Sequence, residues 1–149
     1  MENAKAMNPV VADFCGLLES KNVPYELNES DENMIRFRTK LPNHDPAPYV
    51  FIHYNPKNQA LTLALSHILR LTSAGPDMYR LINEFNSDPS NFACKMFIDG
   101  NGDIIVLVNA IVAGKDPRDQ IEDYLNVSIL ALDNYYGRIS ELIENSEKN

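Results

Sequence analysis

The chain is short of cysteine, histidine and long apolar runs, and each shortage removes a class of protein. Cys15 and Cys94 are its two cysteines. One lies in a helix-like apolar stretch and the other in a strand-like one, so two buried free thiols are expected rather than a structural disulfide. The N-terminus lacks a basic segment ahead of an apolar core, so no secretory signal is expected. Together these point to a cytoplasmic protein, in which the Asn-x-Ser triplets at Asn28 and Asn126 carry no glycan. The longest apolar runs, such as Ile104 to Val108, are far too short to span a bilayer, and no membrane partner is expected.

The three histidines, His44, His53 and His67, lie at no i, i+4 spacing from one another, and no acid or cysteine completes a ligand set around them. No metal site is expected. Gly100 and Gly102 precede a strand rather than a helix, so there is no phosphate-cradling loop. Neither a Gly-x-Ser-x-Gly elbow nor a Cys–His motif is present. The chain therefore reads as non-enzymatic, with no cofactor.

Positive charge is also scarce. The formal net charge is −8 and it is unevenly placed: residues 1–76 hold eight acids and seven bases, residues 77–149 thirteen acids and six bases. A phosphate backbone would be repelled by the second half, which argues against nucleic acid. The acidic half is either a solvated face or a surface offered to a basic partner.

What is present is ordinary globular material, 44% hydrophobic and 23% charged over 149 residues, enough for one domain with a core. Residues 1–8 and 145–149 are expected to be unordered or frayed ends. Val10, Val11, Phe14, Leu17 and Leu18 recur at helical spacing behind Pro9, which suits an early helical position. Asn22 and Pro24 close that helix. A short strand at Tyr25–Asn28 precedes turn chemistry over 28–33, and alternation then predicts a strand over Met34–Lys40. The three prolines of Leu41–Pro48 make a loop. Strands follow at Tyr49–Tyr54 and Gln59–Ser66, joined by the Asn55-Pro56-Lys57-Asn58 turn, and 67–71 is open to extending the second of them.

Gly75-Pro76-Asp77 opens a helix with Met78, Leu81, Ile82 and Phe85 on its buried stripe. Strands over Asn91–Asp99 and Asp103–Ile111 are joined by Gly100-Asn101-Gly102, a tight hairpin signal. A calcium-loop reading of Asp99-Gly100-Asn101-Gly102-Asp103 fails, because Ile104 and Ala110 stand where that loop needs glycine and glutamate.

Asp116 as N-cap and Pro117 as first residue announce a final helix of roughly 25–28 residues, about 40 Å, reaching about Ile143. Ile121, Leu125, Ser128, Leu132, Tyr135, Ile139 and Leu142 form a heptad seam, widened by Tyr124, Ile129 and Tyr136. The seam has two possible uses: packing across a homodimer, or covering the chain's own sheet. Tyrosine and arginine are favoured at interfaces. Arg36, Arg38, Tyr124, Leu132, Tyr135 and Tyr136 are accordingly the candidate partner-contact residues.

The segment Leu81-Ile82-Asn83-Glu84-Phe85-Asn86, with Phe92, Lys95-Met96-Phe97-Ile98-Asp99 and Gly102-Asp103-Ile104-Ile105-Val106, resembles the YbjN-like family, bacterial proteins described as sensory transduction regulators. The likeness is clearest over residues 76–143. Upstream it rests on element order. The family pattern has a helix ending in a Leu-x-x-Asn-x-x-Asn-like turn; this sequence keeps one such asparagine, Asn86, with Phe85 alongside. Asp99 and Asp103 flank the hairpin as the pattern has them. The resemblance implies a fold similar to type III secretion chaperones, a homodimer, and a binding or regulatory role, with no catalytic residue to carry over. Asn86 and the hairpin acids read as turn-forming rather than ligand-binding.

The expectation is thus one α+β domain, order α-β-β-β(-β)-α-β-β-α, with an antiparallel sheet. It serves as a chaperone-like module for a protein partner. A small-molecule sensor or enzyme would need a deep polar pocket between sheet and helices.

Overall fold

The structure, a computed structural model, describes residues 7–147. Its elements run α1 (Pro9–Ser20), β1 (Tyr25–Asn28), β2 (Asp31–Arg38), β3 (Tyr49–Asn55), β4 (Ala60–Ser66), α2 (Pro76–Ser87), β5 (Cys94–Ile98), β6 (Ile104–Ile111) and α3 (Pro117–Glu147). The strands form one antiparallel sheet in the order β1-β2-β3-β4-β6-β5. The fold is α+β, as the element order predicts. All three helices lie on one face of the sheet, over Ile35, Phe37, Val50, Ile52, Tyr54, Leu61, Leu63, Leu65, Met96, Val106 and Val108, every one buried.

Several boundaries move for local reasons. β2 begins three residues earlier than alternation indicates, because the Asn28 side chain tightens the turn by accepting from the Ser30 amide at 2.9 Å and the Asp31 amide at 3.1 Å. β5 begins three residues later than expected, because a 3-10 turn over Pro89–Asn91, set by the Asp88 carboxylate accepting from the Ser90 amide at 2.9 Å, and the turn at 92–93 precede it. β4 stops at Ser66 because His67 turns to φ 56°. Pairing then resumes out of register: the Leu71 amide donates to the Gly102 carbonyl at 2.7 Å and the Ile104 amide to that of Leu69 at 3.0 Å.

The ends are better held than expected. Residues 1–6 lie outside the described residues, but Asn8 is a buried N-cap. Its Oδ1 accepts from the Val11 amide at 2.9 Å and its Nδ2 donates to the Tyr54 carbonyl at 3.2 Å. The final helix has 31 residues, a length of about 46 Å, so residues 145–147 are helical; 148–149 lie outside the described residues.

The α3 seam is used inside the chain. Ile121, Ser128, Leu132 and Ile139 are wholly buried and Leu125 and Tyr135 nearly so, against the sheet and between α1 and α2, which both touch α3. Of the seam's two possible uses, the structure shows the second, covering the chain's own sheet. β4, β6 and β5 lie under the helix and α1 and α2 flank it, so its long apolar face is taken up within the chain. The loop over residues 41–48 covers more of it. Buried Asp133 accepts from the Asn43 amide at 3.0 Å and from Asn43 Nδ2 at 2.7 Å, and His44 packs on the Tyr136 ring at 4.8 Å.

Both cysteines are buried and free. Burial pushes each thiol up to about 11, by removing water from the thiolate; around Cys94 the nearby Lys95 charge opposes this only partly. Neither thiol should react with a disulfide reagent at pH 8 while the chain is folded. Both should react at once in denaturant, and rapid native-state labelling of either would contradict the packing.

Candidate docking face on the open side of the sheet

Strand alternation sends every second side chain away from the helices, and among the described residues no helix covers that second face. Register aligns two rows across it. In the first, Glu26 of β1 stands opposite Arg36, Arg36 opposite Phe51, Phe51 opposite Ala64, Ala64 opposite Leu107, and Leu107 opposite Lys95. In the second, Arg38 stands opposite Tyr49 and Tyr49 opposite Ser66, with Ile105 opposite Phe97 at the far side. Phe97 is 40% exposed, and Phe51, Ala64, Ile105 and Leu107 are half-buried. Ile111, further along β6, is 63% exposed.

Arginine is stacked at one end of these rows. The Arg36 guanidinium lies 4.8 Å from the Tyr49 ring centre and 6.0 Å from that of Phe51; Arg38 lies 4.4 Å from Tyr49 on its own account. Such stacking holds a guanidinium flat while leaving its in-plane donors available. Arg36 also pairs with Glu26. His67 meets the other side of this cluster, its ring edge-on to Tyr49 at 5.0 Å.

Sheet edges are less available than the face. β1 is only four residues long. The outer edge of β5 is occupied by a side chain: Asn86 Oδ1 accepts from the Met96 amide at 2.7 Å, and Asn86 Nδ2 donates to the Met96 carbonyl at 3.0 Å. One amide thus imitates a neighbouring strand and blunts the edge. Asn86→Ala should cost about 2 kcal/mol, because two backbone groups lose their partners. It should also promote self-association, read as a lower urea midpoint and light scattering that rises with concentration. An unchanged midpoint would show that these bonds contribute nothing.

The six candidate residues divide. Arg36 and Arg38 come together on the open face. Tyr124, Leu132, Tyr135 and Tyr136 belong to α3, across the sheet from them. Leu132 is wholly buried, and Tyr135 is buried with its hydroxyl donating to Asp88 at 2.9 Å, so neither is a contact surface in this fold. Burial, then this bond, raises the Tyr135 hydroxyl above its ordinary value. Tyr136 lies under His44, and Tyr124 stacks on Phe92, which is 70% exposed.

Tyr49, Phe51, Ile105 and Leu107 are not among the partner-contact candidates drawn from the sequence. A signal was present: Ile104 to Val108 is apolar at every position, where a half-solvated antiparallel strand alternates. An unbroken run means that the second face is also suited to being covered.

The hairpin acids serve the turn. Asp99 Oδ1 accepts from the Asn101 amide at 2.9 Å and the Asp103 amide at 3.0 Å, while Asp103 pairs with Arg70 at 3.3 Å. Among the described residues no group of three or more His, Cys, Asp or Glu is placed to hold a metal, and no helix is long and apolar enough to cross a membrane. Between sheet and helices stand the wholly buried side chains of Phe14, Leu61, Leu63, Phe85, Met96 and Leu132. A depression of about 370 Å³ lies instead at the β1–β2 hairpin, bordered by Leu27, Asp31, Glu32 and Met34.

No family model and no curated protein matches the chain in sequence. Among solved structures, a chain of the ExsC–ExsE complex matches with a TM-score of 0.58 at 16% identity, over 93% of this chain and 96% of that one. The fold is type III secretion chaperone-like. A chain of the heterodimeric ExoU–SpcU complex from the type III secretion system of Pseudomonas aeruginosa matches with a TM-score of 0.49 at 16% identity, over 80% of this chain and 90% of that one. In this chaperone-like fold the helices shield one sheet face and leave the Arg36–Lys95 rows bare.

Proposed function

We propose that this chain is a non-enzymatic, cytoplasmic, chaperone-like module that docks a partner polypeptide on the open face of its sheet. The observation that carries the reading is the apolar run of β6, whose second face, with Phe51 and Phe97, forms a contiguous uncovered patch rimmed by charge. Patches of this kind on soluble proteins serve as interaction sites. Likeness in fold to a chain of a two-protein complex supports a protein partner. Membership of the YbjN-like regulators rests on the Leu81–Asn86 and Lys95–Val106 segments. A homodimer, no longer supported by the α3 seam, has this same face as its remaining support.

Site-specific photo-crosslinking tests the reading. A benzophenone side chain at Leu107, on the open face, should yield a discrete heavier adduct in cells. The same probe at Leu130, exposed on α3, should not. Leu107→Asp should remove the interaction while leaving the thermal transition in place. Equal labelling from both positions, or none from Leu107, would sink the docking reading.

A further inference from the structure

We infer that the open face selects polypeptide segments with an apolar centre and flanking carboxylates. This rests on the docking reading and names the partner's chemistry. In a chain of net charge −8, the two rows carry three cations, Arg36, Arg38 and Lys95, against the single carboxylate of Glu26; the exposed Lys95 ammonium also donates to the Asn86 carbonyl at the β5 edge, at 3.0 Å. The cations stand at the two ends, β2 and β5. Between them lie Phe51, Ala64, Ile105 and Leu107. Four strand spacings separate those ends, roughly 19 Å. That span fits about six residues of extended chain or about thirteen of helix, with acids at the extremities.

Arg36 already shows the preference within the chain, since it pairs with Glu26 beside its ring stack. Arg38 is held over the same ring and, among the described residues, pairs with no carboxylate. Its donors are the group a partner's acid would take. The outer stripe of α3 carries Asp119, Asp123, Glu141 and Glu144, all exposed, and would repel the same segment. Selection therefore belongs to the sheet face.

A second copy of this chain is a poorer occupant. Meeting face to face, two copies would set three cations against three with one Glu26 on each side, and the exposed acidic stripe of α3 offers a single large exposed apolar residue, Leu130. Single-stranded nucleic acid would meet Ile105, Leu107 and Phe97 where phosphates need donors, on a strongly acidic protein.

Selection from a random peptide display library on the immobilised full chain tests this. Recovered peptides should be enriched in Asp or Glu flanking apolar residues. One such peptide, titrated by fluorescence anisotropy, should bind about ten-fold more weakly to Arg38→Glu and should weaken as salt is raised. The Arg36→Glu, Arg38→Glu double variant, whose fold is checked by circular dichroism, should select basic flanks instead. Apolar peptides recovered without charge preference would overturn acidic selection while leaving the docking reading standing. So would undiminished binding to Arg38→Glu. Recovery of no peptide, with the Leu107 probe crosslinking a second copy, would overturn it in favour of self-association. Tighter binding of a poly-dT oligonucleotide than of any recovered peptide would overturn it in favour of nucleic acid.

Discussion

Leu132→Asp is expected to leave a chain with no cooperative thermal transition. The side chain is wholly buried in the middle of α3, over the sheet. Losing a buried leucine costs roughly 2–5 kcal/mol. A carboxylate left there without a partner adds several kcal/mol more, or protonates at comparable expense. Domains of this size are stable by about 5–15 kcal/mol in total, so the sum matches or exceeds what the fold has available. Leu130→Asp is the control: that leucine is 54% exposed two residues away, and its replacement should change stability by no more than about 0.5 kcal/mol. Circular dichroism melts of the two variants decide the matter. A folded Leu132→Asp chain would mean that α3 does not pack on this sheet. A Leu130→Asp chain that melts like it would mean that the helix is rotated.

The second large effect is expected at Gly102. Its φ is +84°, and a Cβ added there would sit 2.3 Å from the carbonyl oxygen of Leu71. That oxygen is backbone and cannot swing aside. The segment is also tied at both ends, through the Leu71 amide to the Gly102 carbonyl and the Ile104 amide to the Leu69 carbonyl. Gly102→Ala should therefore cost about 3 kcal/mol, from the left-handed backbone and the displaced pairing together. Gly100→Ala, in the same hairpin, meets nothing within 4 Å and has no positive φ, so its cost should stay within about 1 kcal/mol. Denaturant midpoints of the pair are the measurement, and equal midpoints would refute the close approach. The hairpin matters for the proposed docking face as well, since it delivers Ile105 opposite Phe97.

These two sites show different degrees of legibility. The Gly100-Asn101-Gly102 turn was plain from residue types, and both flanking strands follow from it. Which glycine is indispensable was not, because the answer depends on Leu71, thirty-one positions earlier. Asn86 is similar. It was legible as a turn residue, but its pairing with Met96 across the β5 edge requires α2 and β5 to be seen side by side. The open face of the sheet was half legible. Arg36 and Arg38 alternate away from Ile35 and Phe37 in sequence, and the two arginines do share the open face. Tyr49, Phe51 and Leu107 join them only through strand register.

The sequence by itself determined which residues form elements and which side of each element is apolar. Periods of two and of three to four are local properties of the chain, and Pro9, Pro76 and Pro117 mark helix starts through their own backbone restriction. Tertiary structure alone decided what covers each apolar side. The α3 heptad is compatible with a second helix or with a sheet, since periodicity records an apolar stripe and not its partner. Burial of Leu132 and Tyr135, on a helix packed over β4, β6 and β5, assigned that stripe to the interior. The same packing left the opposite sheet face uncovered, because three helices suffice for one side and no further element remains among the described residues to cover the other.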